Sequence, residues 1–341
     1  MAMQALRLEA PKSFQQIELP EPATLGPGEA LVRVHNVGIC GTDISAYLGK
    51  MPFVTFPRIL GHELGVEVLA VGEGVAKVKA GDRCSVEPYL NDPASYASKR
   101  GRPNCCERLQ VLGVHTDGGM RPRFVMPARK LHVSSRLSFE QLALVETLAI
   151  GCHAVARSGL TGGETCLIIG AGPIGLATLE FVRLAGAKTI VMDLSPQRLD
   201  FCRRVMKVEH TLQPSDQLDG QLREICGGQL PEVVIDATGN PQSMSAAFGL
   251  IAPGGRLVYV GLTGEEVHFR HAAFHRVEGT LLCSRNALPA DFTRIISLIE
   301  AGQIDTQPWI THRCPLAELP AAMPAFLQPA TGVVKAMVSV E

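Results

Sequence analysis

The stretch Gly170-Ala171-Gly172-Pro173-Ile174-Gly175 constrains this chain more than any other. It has the spacing G-x-G-x-x-G, with a short apolar run at 165–170 before it and an apolar helical pattern at 173–184 after it. In that setting the first glycine permits a tight turn and the second lets backbone N–H groups approach a pyrophosphate. The third lets helix and strand pack closely. The helix N-terminus adds partial positive charge. Gly170, Gly172, Pro173, Ile174 and Gly175 are thus candidate cofactor-binding residues. Asp193 stands at the end of a second strand expected over 189–193. A carboxylate there accepts hydrogen bonds from both adenine-ribose hydroxyls and repels a 2′-phosphate, which favours NAD over NADP. Arg198 has three readings: stacking on adenine, contact with a phosphate, or a solvated helix charge.

The turn belongs to a longer alternation. Strands are expected at 165–170, 189–193, 232–236, 256–261 and 280–283, with helices at 173–184, 196–206 and 242–250 between them. Such alternation builds a doubly wound parallel sheet with helices on both faces. Ligands rest at the strand ends of such sheets, so Thr238 and Leu262 join the candidates. Residues 1–147 differ. Short alternating runs such as Ala30-Leu31-Val32-Arg33-Val34, separated by turns such as Gly26-Pro27-Gly28, predict an irregular β domain. After 286 the pattern weakens, with one clear helix at 291–301. The 341 residues are too many for one core, and two domains are expected: 1–147 with 286–341, and 148–285.

Composition narrows the partners. The formal net charge of −1 gives no electrostatic reason to expect nucleic acid or an anionic membrane. The first twenty residues hold Arg7, Glu9, Lys12 and Glu18 and no apolar core of a signal peptide. The most apolar run, 165–179, is interrupted by Gly and Pro and too short to cross a bilayer. Ten cysteines follow no paired spacing, and several (Cys166, Cys202, Cys283) lie in apolar runs, which reads as buried free thiols in a reducing compartment. A soluble, cytoplasmic protein is expected.

In the β domain, Gly38-Ile39-Cys40-Gly41-Thr42-Asp43 is followed by Gly61-His62-Glu63. A thiol, an imidazole and a carboxylate on loops suit zinc, and three protein ligands leave a position for water or substrate. Glu146, where the two textures meet, is the next candidate acid.

With Gly81-Asp82-Arg83, Gly118-Gly119 and Gly254-Gly255, these motifs make the whole chain resemble the zinc-dependent medium-chain dehydrogenase/reductase family, and most of all its sorbitol, polyol and sugar-acid branch. The resemblance implies a GroES-like catalytic domain, a Rossmann domain that binds NAD, and one catalytic Zn2+. It implies Cys40, His62 and either Glu63 or Glu146 as zinc ligands, the second carboxylate holding the metal or its water. Asp43 matches an acid that orients the zinc histidine, and Thr42 a hydroxyl that takes the alcohol proton. Ser45 stands where many relatives have a histidine that ends the proton relay; a serine passes protons through water but is no base near neutral pH. The implied reaction moves hydride between NAD and a secondary hydroxyl of a polyol, sugar or sugar acid, in a homodimer or homotetramer. The alternatives are a zinc-free quinone or enone reductase using NAD(P)H, or a non-catalytic NAD-binding protein. Retained Cys40, His62 and Glu146 argue against the first, with Asp193 disfavouring NADPH, and intact Thr42 and Asp43 argue against the second.

In relatives, four cysteines in a lobe bind a second, structural zinc. The matching stretch here is Asn91-Asp92-Pro93-Ala94-Ser95-Tyr96-Ala97-Ser98, continuing to Cys105-Cys106. The matched positions are read as Asp92, Ser95, Ser98 and Cys105. One thiolate, one carboxylate and two hydroxyls make a poor zinc site, so no structural zinc is expected. Arg285 matches an arginine that reaches substrate hydroxyls in polyol relatives, with a surface ion pair as the competing reading. Phe53 is a candidate pocket wall. Arg121 and Arg123 are read as solvated charges rather than substrate contacts.

Overall fold

The computed structural model describes residues 2–22 and 24–340. The chain divides into two compact units, Met1–Thr147 with Leu288–Glu341, and Leu148–Ala287.

The first unit is built on β structure. Its seven-stranded sheet runs in the order Ile310–Pro315, Lys335–Ser339, Glu29–Gly38, Glu63–Val71, Arg83–Val86, Leu131–Val133, with Arg123–Pro127 also paired to Glu29–Gly38. Period-two alternation explains the core: Ala30, Val32 and Val34 are buried from one strand, Val66 and Val68 from the next. The C-terminal strand Lys335–Ser339 pairs antiparallel with Glu29–Gly38, Met337 opposite Gly38, which brings two distant stretches of sequence side by side. A hairpin of Ala2–Ala10 and Ser13–Pro20 stands apart from this sheet.

The second unit is a six-stranded parallel sheet in the order His210–Leu212, Lys188–Met192, Thr165–Ile169, Val233–Asp236, Arg256–Tyr259, Thr280–Cys283. Numbered along the chain that order is 3-2-1-4-5-6, the doubly wound arrangement whose ligands rest beyond the carboxyl ends of the strands. The central strands are buried along their length, which is why they read as continuous apolar runs. Three elements lacked a clear signal: the strand His210–Leu212 and the helices Leu218–Ile225 and His271–Arg276.

The helix Phe139–Ser158 was also not expected. It is long and apolar enough to cross a membrane by length and composition. Leu142, Ala143, Leu144, Val145, Leu148 and Ala149 are all buried, so the segment packs as protein core and carries no helical stripe that a sequence reading could detect.

Candidate active site

Two loops of the first unit converge. Cys40 caps the helix Gly41–Tyr47, which carries Thr42, Asp43 and Ser45; Thr42 and Ser45 are half-buried. His62 and Glu63 lead into the strand Glu63–Val71. The buried Asp43 ties the loops together. Its Oδ2 accepts from the Cys40 N–H at 2.9 Å and its Oδ1 from the Gly61 N–H at 3.2 Å. The ligand atoms of Cys40, His62 and Glu63 all lie within 4.8 Å of one another.

The second carboxylate, Glu146, projects from the helix Phe139–Ser158 and accepts a hydrogen bond from the Tyr89 hydroxyl at 2.5 Å. Both residues are buried, and burial raises the Glu146 carboxyl above its ordinary value. The Tyr89 phenol is pushed well above its own by burial and then by Glu146.

Glu63 is held differently. The Lys335 ammonium donates to its two oxygens at 2.6 and 2.7 Å and to the Ile39 carbonyl at 3.2 Å. Both side chains are at most 1% exposed. Burial by itself would strip the lysine of its proton, but Glu63 and Cys40 outweigh it and keep the ammonium charged. The carboxylate also dictates its neighbour across the sheet, because a Cβ on Gly38 would stand 2.1 Å from Glu63 Oε2. Gly38 is therefore part of the site through absence of a side chain.

His62 shows that this cluster suits a cation. The residue is 5% exposed, and among the described residues Nδ1 has no hydrogen-bond partner; Asp43 Oδ1 lies 3.8 Å away. A buried ring nitrogen without a partner is costly. Burial alone would favour the neutral ring, yet Asp43 and Cys40 raise its affinity for a proton well above the histidine norm. The same negative surroundings attract a metal ion, and a small movement of Asp43 would then give Nδ1 its acceptor. Thiol, imidazole and carboxylate donors fit zinc.

Behind Tyr89 runs a buried ladder. The Tyr89 ring meets Phe292 edge-on at 6.3 Å, and Phe292 stacks on His132 at 4.9 Å. His132 Nε2 lies 3.3 Å from Glu87 Oε2, and Glu87 also bonds Lys130. Tyr89, Glu87, Lys130 and Lys335 were missed in the sequence. The local signal is slight: Lys335 opens an otherwise mostly apolar strand, and Glu87 directly follows the strand Arg83–Val86.

In the second unit the glycine-rich turn sits at the carboxyl end of the central strand Thr165–Ile169. Gly172 caps the helix Pro173–Leu184, with Pro173 and Ile174 opening its first turn. A Cβ on Gly175 would fall 1.7 Å from the Gly170 carbonyl oxygen, so the helix approaches as closely as the motif implied. Asp193 follows the adjacent strand; its carboxylate accepts from Ala171 N–H at 2.6 Å and Ser195 N–H at 2.7 Å. Arg198 lies 3.8 Å from that carboxylate, so it is an ion-pair partner of Asp193 rather than a purely solvated charge. Thr238 bonds Asp236 through N and Oγ1, and Leu262 is 66% exposed; both follow strands of the same sheet. Arg285 is exposed.

The lobe requires a correction. Cys105 is exposed; Cys106 is the buried thiol that meets Asp92, Ser95 and Ser98. The 3-10 turn Pro103–Cys105 rotates the second cysteine inward. Asp92 N–H donates to Cys106 Sγ at 3.3 Å, and Ser95 and Ser98 share a hydrogen bond at 2.9 Å. Asn91 Nδ2 donates to Ser98 Oγ at 2.9 Å, and Arg129 clamps Asn91 at 2.8 and 2.6 Å. Partial burial works against the Cys106 thiolate, but donors from Ser95, Ser98 and the Asp92 and Arg108 backbone hold the thiol below its ordinary value.

Three further expectations change. Cys283 is exposed, not buried, because its strand is the last in the sheet. Arg121 is not a solvated charge: its guanidinium lies 4.8 Å over the Phe124 ring and donates to the Asp117 carbonyl. Arg123 pairs with Glu21 at 2.5 Å. Phe53 is 51% exposed, its ring 6.4 Å from His115.

Known proteins agree with this anatomy. Residues 26–135 match the alcohol dehydrogenase GroES-like domain and residues 173–301 the zinc-binding dehydrogenase domain. The L-galactonate-5-dehydrogenase of Escherichia coli K12 is 39% identical over 93% of both chains. Human sorbitol dehydrogenase is 34% identical over 92% of this chain and 89% of its own. Among solved structures, the alcohol dehydrogenase RspB of Escherichia coli CFT073, complexed with NADH, superposes with a TM-score of 0.92 at 28% identity over 99% of both chains. This chain belongs to the zinc-type medium-chain dehydrogenases of the alcohol dehydrogenase family, in their polyol and sugar-acid branch.

Proposed function

We propose that this protein is an NAD- and zinc-dependent dehydrogenase that oxidises a secondary hydroxyl of a polyol or sugar acid. The observation that carries the reading is the cluster of Cys40, His62 and Glu63, whose ligand atoms all lie within 4.8 Å of one another. Cys40 and His62 would hold the metal together with Glu63 or Glu146. A bound Zn2+ polarises the substrate oxygen as a Lewis acid. Thr42 accepts the hydroxyl proton at Oγ1, and Ser45 passes it to water. Asp43 holds the Cys40 and Gly61 loops in register and orients His62. Lys335 balances the charge of the buried Glu63.

Asp193 beside the glycine-rich turn supports NAD, with Gly170, Gly172, Pro173, Ile174, Gly175, Thr238 and Leu262 around it and Arg198 at its edge. The similarity to L-galactonate-5-dehydrogenase and sorbitol dehydrogenase supports the substrate class. Arg285 and Phe53 are the proposed substrate contacts. The lobe is proposed to take no structural zinc, its polar groups being turned on one another. A homodimer or homotetramer in the cytoplasm fits the reading, and ten free cysteines fit a reducing compartment. The test is zinc content of the purified chain alongside NAD reduction with polyols and sugar acids. One tightly held zinc per chain, with turnover on at least one such alcohol, is expected; no tight zinc in protein never exposed to chelator overturns the proposal.

A further inference from the structure

Tyr89 touches the site, yet the chemistry above gives it nothing to do. Its hydroxyl donates to Glu146 Oε1 at 2.5 Å, and no other hydrogen bond to that carboxylate is found among the described residues. A hydrogen bond of this length to an ionised oxygen is about twice as strong as a neutral one. It occupies one oxygen and leaves Oε2 as the acceptor available to an ion or to a water on the ion. The hydroxyl is neutral, so it fixes the carboxylate without cancelling its charge. Lys335 does cancel the charge of Glu63. The two candidate carboxylates are thus supported in different ways, and only Glu146 has a neutral donor.

The tyrosine is itself held on several sides. It is 3% exposed, and its ring meets Phe292 edge-on. Its backbone lies in the short ribbon of Tyr89–Leu90 with Gln110–Val111, Tyr89 opposite Val111. Leu112 N–H donates to the Pro88 carbonyl at 3.1 Å and Asn91 N–H to the Tyr89 carbonyl at 3.0 Å. Asn91 is in turn the residue that Arg129 clamps. Ring and backbone together fix where the hydroxyl stands.

We propose that Tyr89 is a positioning residue for the dehydrogenase: its hydroxyl holds the Glu146 carboxylate ready for the metal or the metal's water. The inference rests on the reading of Cys40 and His62 as a zinc site. A long, flexible side chain that must be ordered when an ion arrives lowers affinity by the entropy it loses. Tyr89 supplies that order beforehand, in the way that groups behind metal ligands do.

Chelator competition on the full chain, with chelators graded in strength, tests it. Tyr89→Phe removes one oxygen and keeps the ring against Phe292, so the fold should be intact. Zinc affinity should fall about 10- to 100-fold, the scale of losing a group that orients a ligand. On a Glu146→Gln background the same substitution should change zinc affinity less than about twofold, because the hydroxyl acts through that carboxylate. A Tyr89→Phe protein that holds zinc as tightly as the wild type overturns the proposal. So does a full loss repeated on the Glu146→Gln background, which would mark a packing role. In both cases the wild type still holds its zinc, and the reading at Cys40 stands. A wild type with no tight zinc overturns the two together.

Discussion

Two regions of the first unit gather a thiol and carboxylates in a small space, and they treat their polar atoms in opposite ways. Around Cys40 and His62 the bonding is incomplete. One ring nitrogen lacks a partner, and a lysine brought from far along the chain neutralises a carboxylate. Around Cys106 the bonding closes on itself, with Asp92 to Cys106, Ser95 to Ser98, Asn91 to Ser98, and Arg129 over Asn91. A place built for an ion keeps donors waiting at a cost in stability, whereas a place without one must satisfy its donors from within.

The largest effect that could break this contrast is on metal and turnover. Cys40→Ser should lose the tight zinc and lower kcat/KM by about a thousandfold or more. Cys106→Ser should leave zinc content and turnover near wild type; a tight zinc lost from that variant would erase the distinction between the two regions. Next in size is Lys335→Met, which strands Glu63 without its counter-charge. Removing one partner of a buried ion pair costs about 3–5 kcal/mol, readable as a lower urea midpoint at unchanged m-value. Asp43→Asn keeps the outline, turns one of the two oxygens that accept from Cys40 and Gly61 N–H into an NH2 donor, and weakens the acceptor facing His62. A loss of about 10- to 100-fold in zinc affinity by chelator competition is expected, with the fold intact.

The smallest effect lies in the ladder behind Tyr89. Burial works against the Glu87 carboxylate, but His132 and Lys130 together hold its pKa below the ordinary value, while burial lowers that of His132. Both groups bind protons more readily in the unfolded chain, so stability should fall as pH drops. The His132 share begins to go below about 6.5 and the Glu87 share below about 4.3. Glu87→Gln should flatten the lower part of that decline in a urea series across pH; an unchanged slope would show that the ladder contributes nothing.

The sequence made the cofactor turn legible because its signals are local: glycines at fixed offsets, an apolar run before them and a helical pattern after. Cys40, His62 and Asp43 were legible for the same reason. Lys335 was not, since a lone lysine in a C-terminal strand reveals its partner only when that strand lies beside Gly38. Tyr89 needed the helix at Phe139–Ser158, which is buried almost continuously from 142 to 155 and so lacks the apolar period that marks a surface helix. The choice between Cys105 and Cys106 rests on one tight turn, and adjacent residues differ by a reversal of direction that spacing alone does not encode.

The ion pair of Glu63 with Lys335 spans 272 positions of the chain. At about 5–20 residues per second, a ribosome takes on the order of tens of seconds to pass from one to the other. Throughout that interval Cys40, His62 and Glu63 exist in the nascent polypeptide without their counter-ion. The charge balance of the site is therefore completed only once Lys335 has been made, and a message cut short before Lys335 would yield a protein with every proposed zinc ligand and an uncompensated acid at its centre.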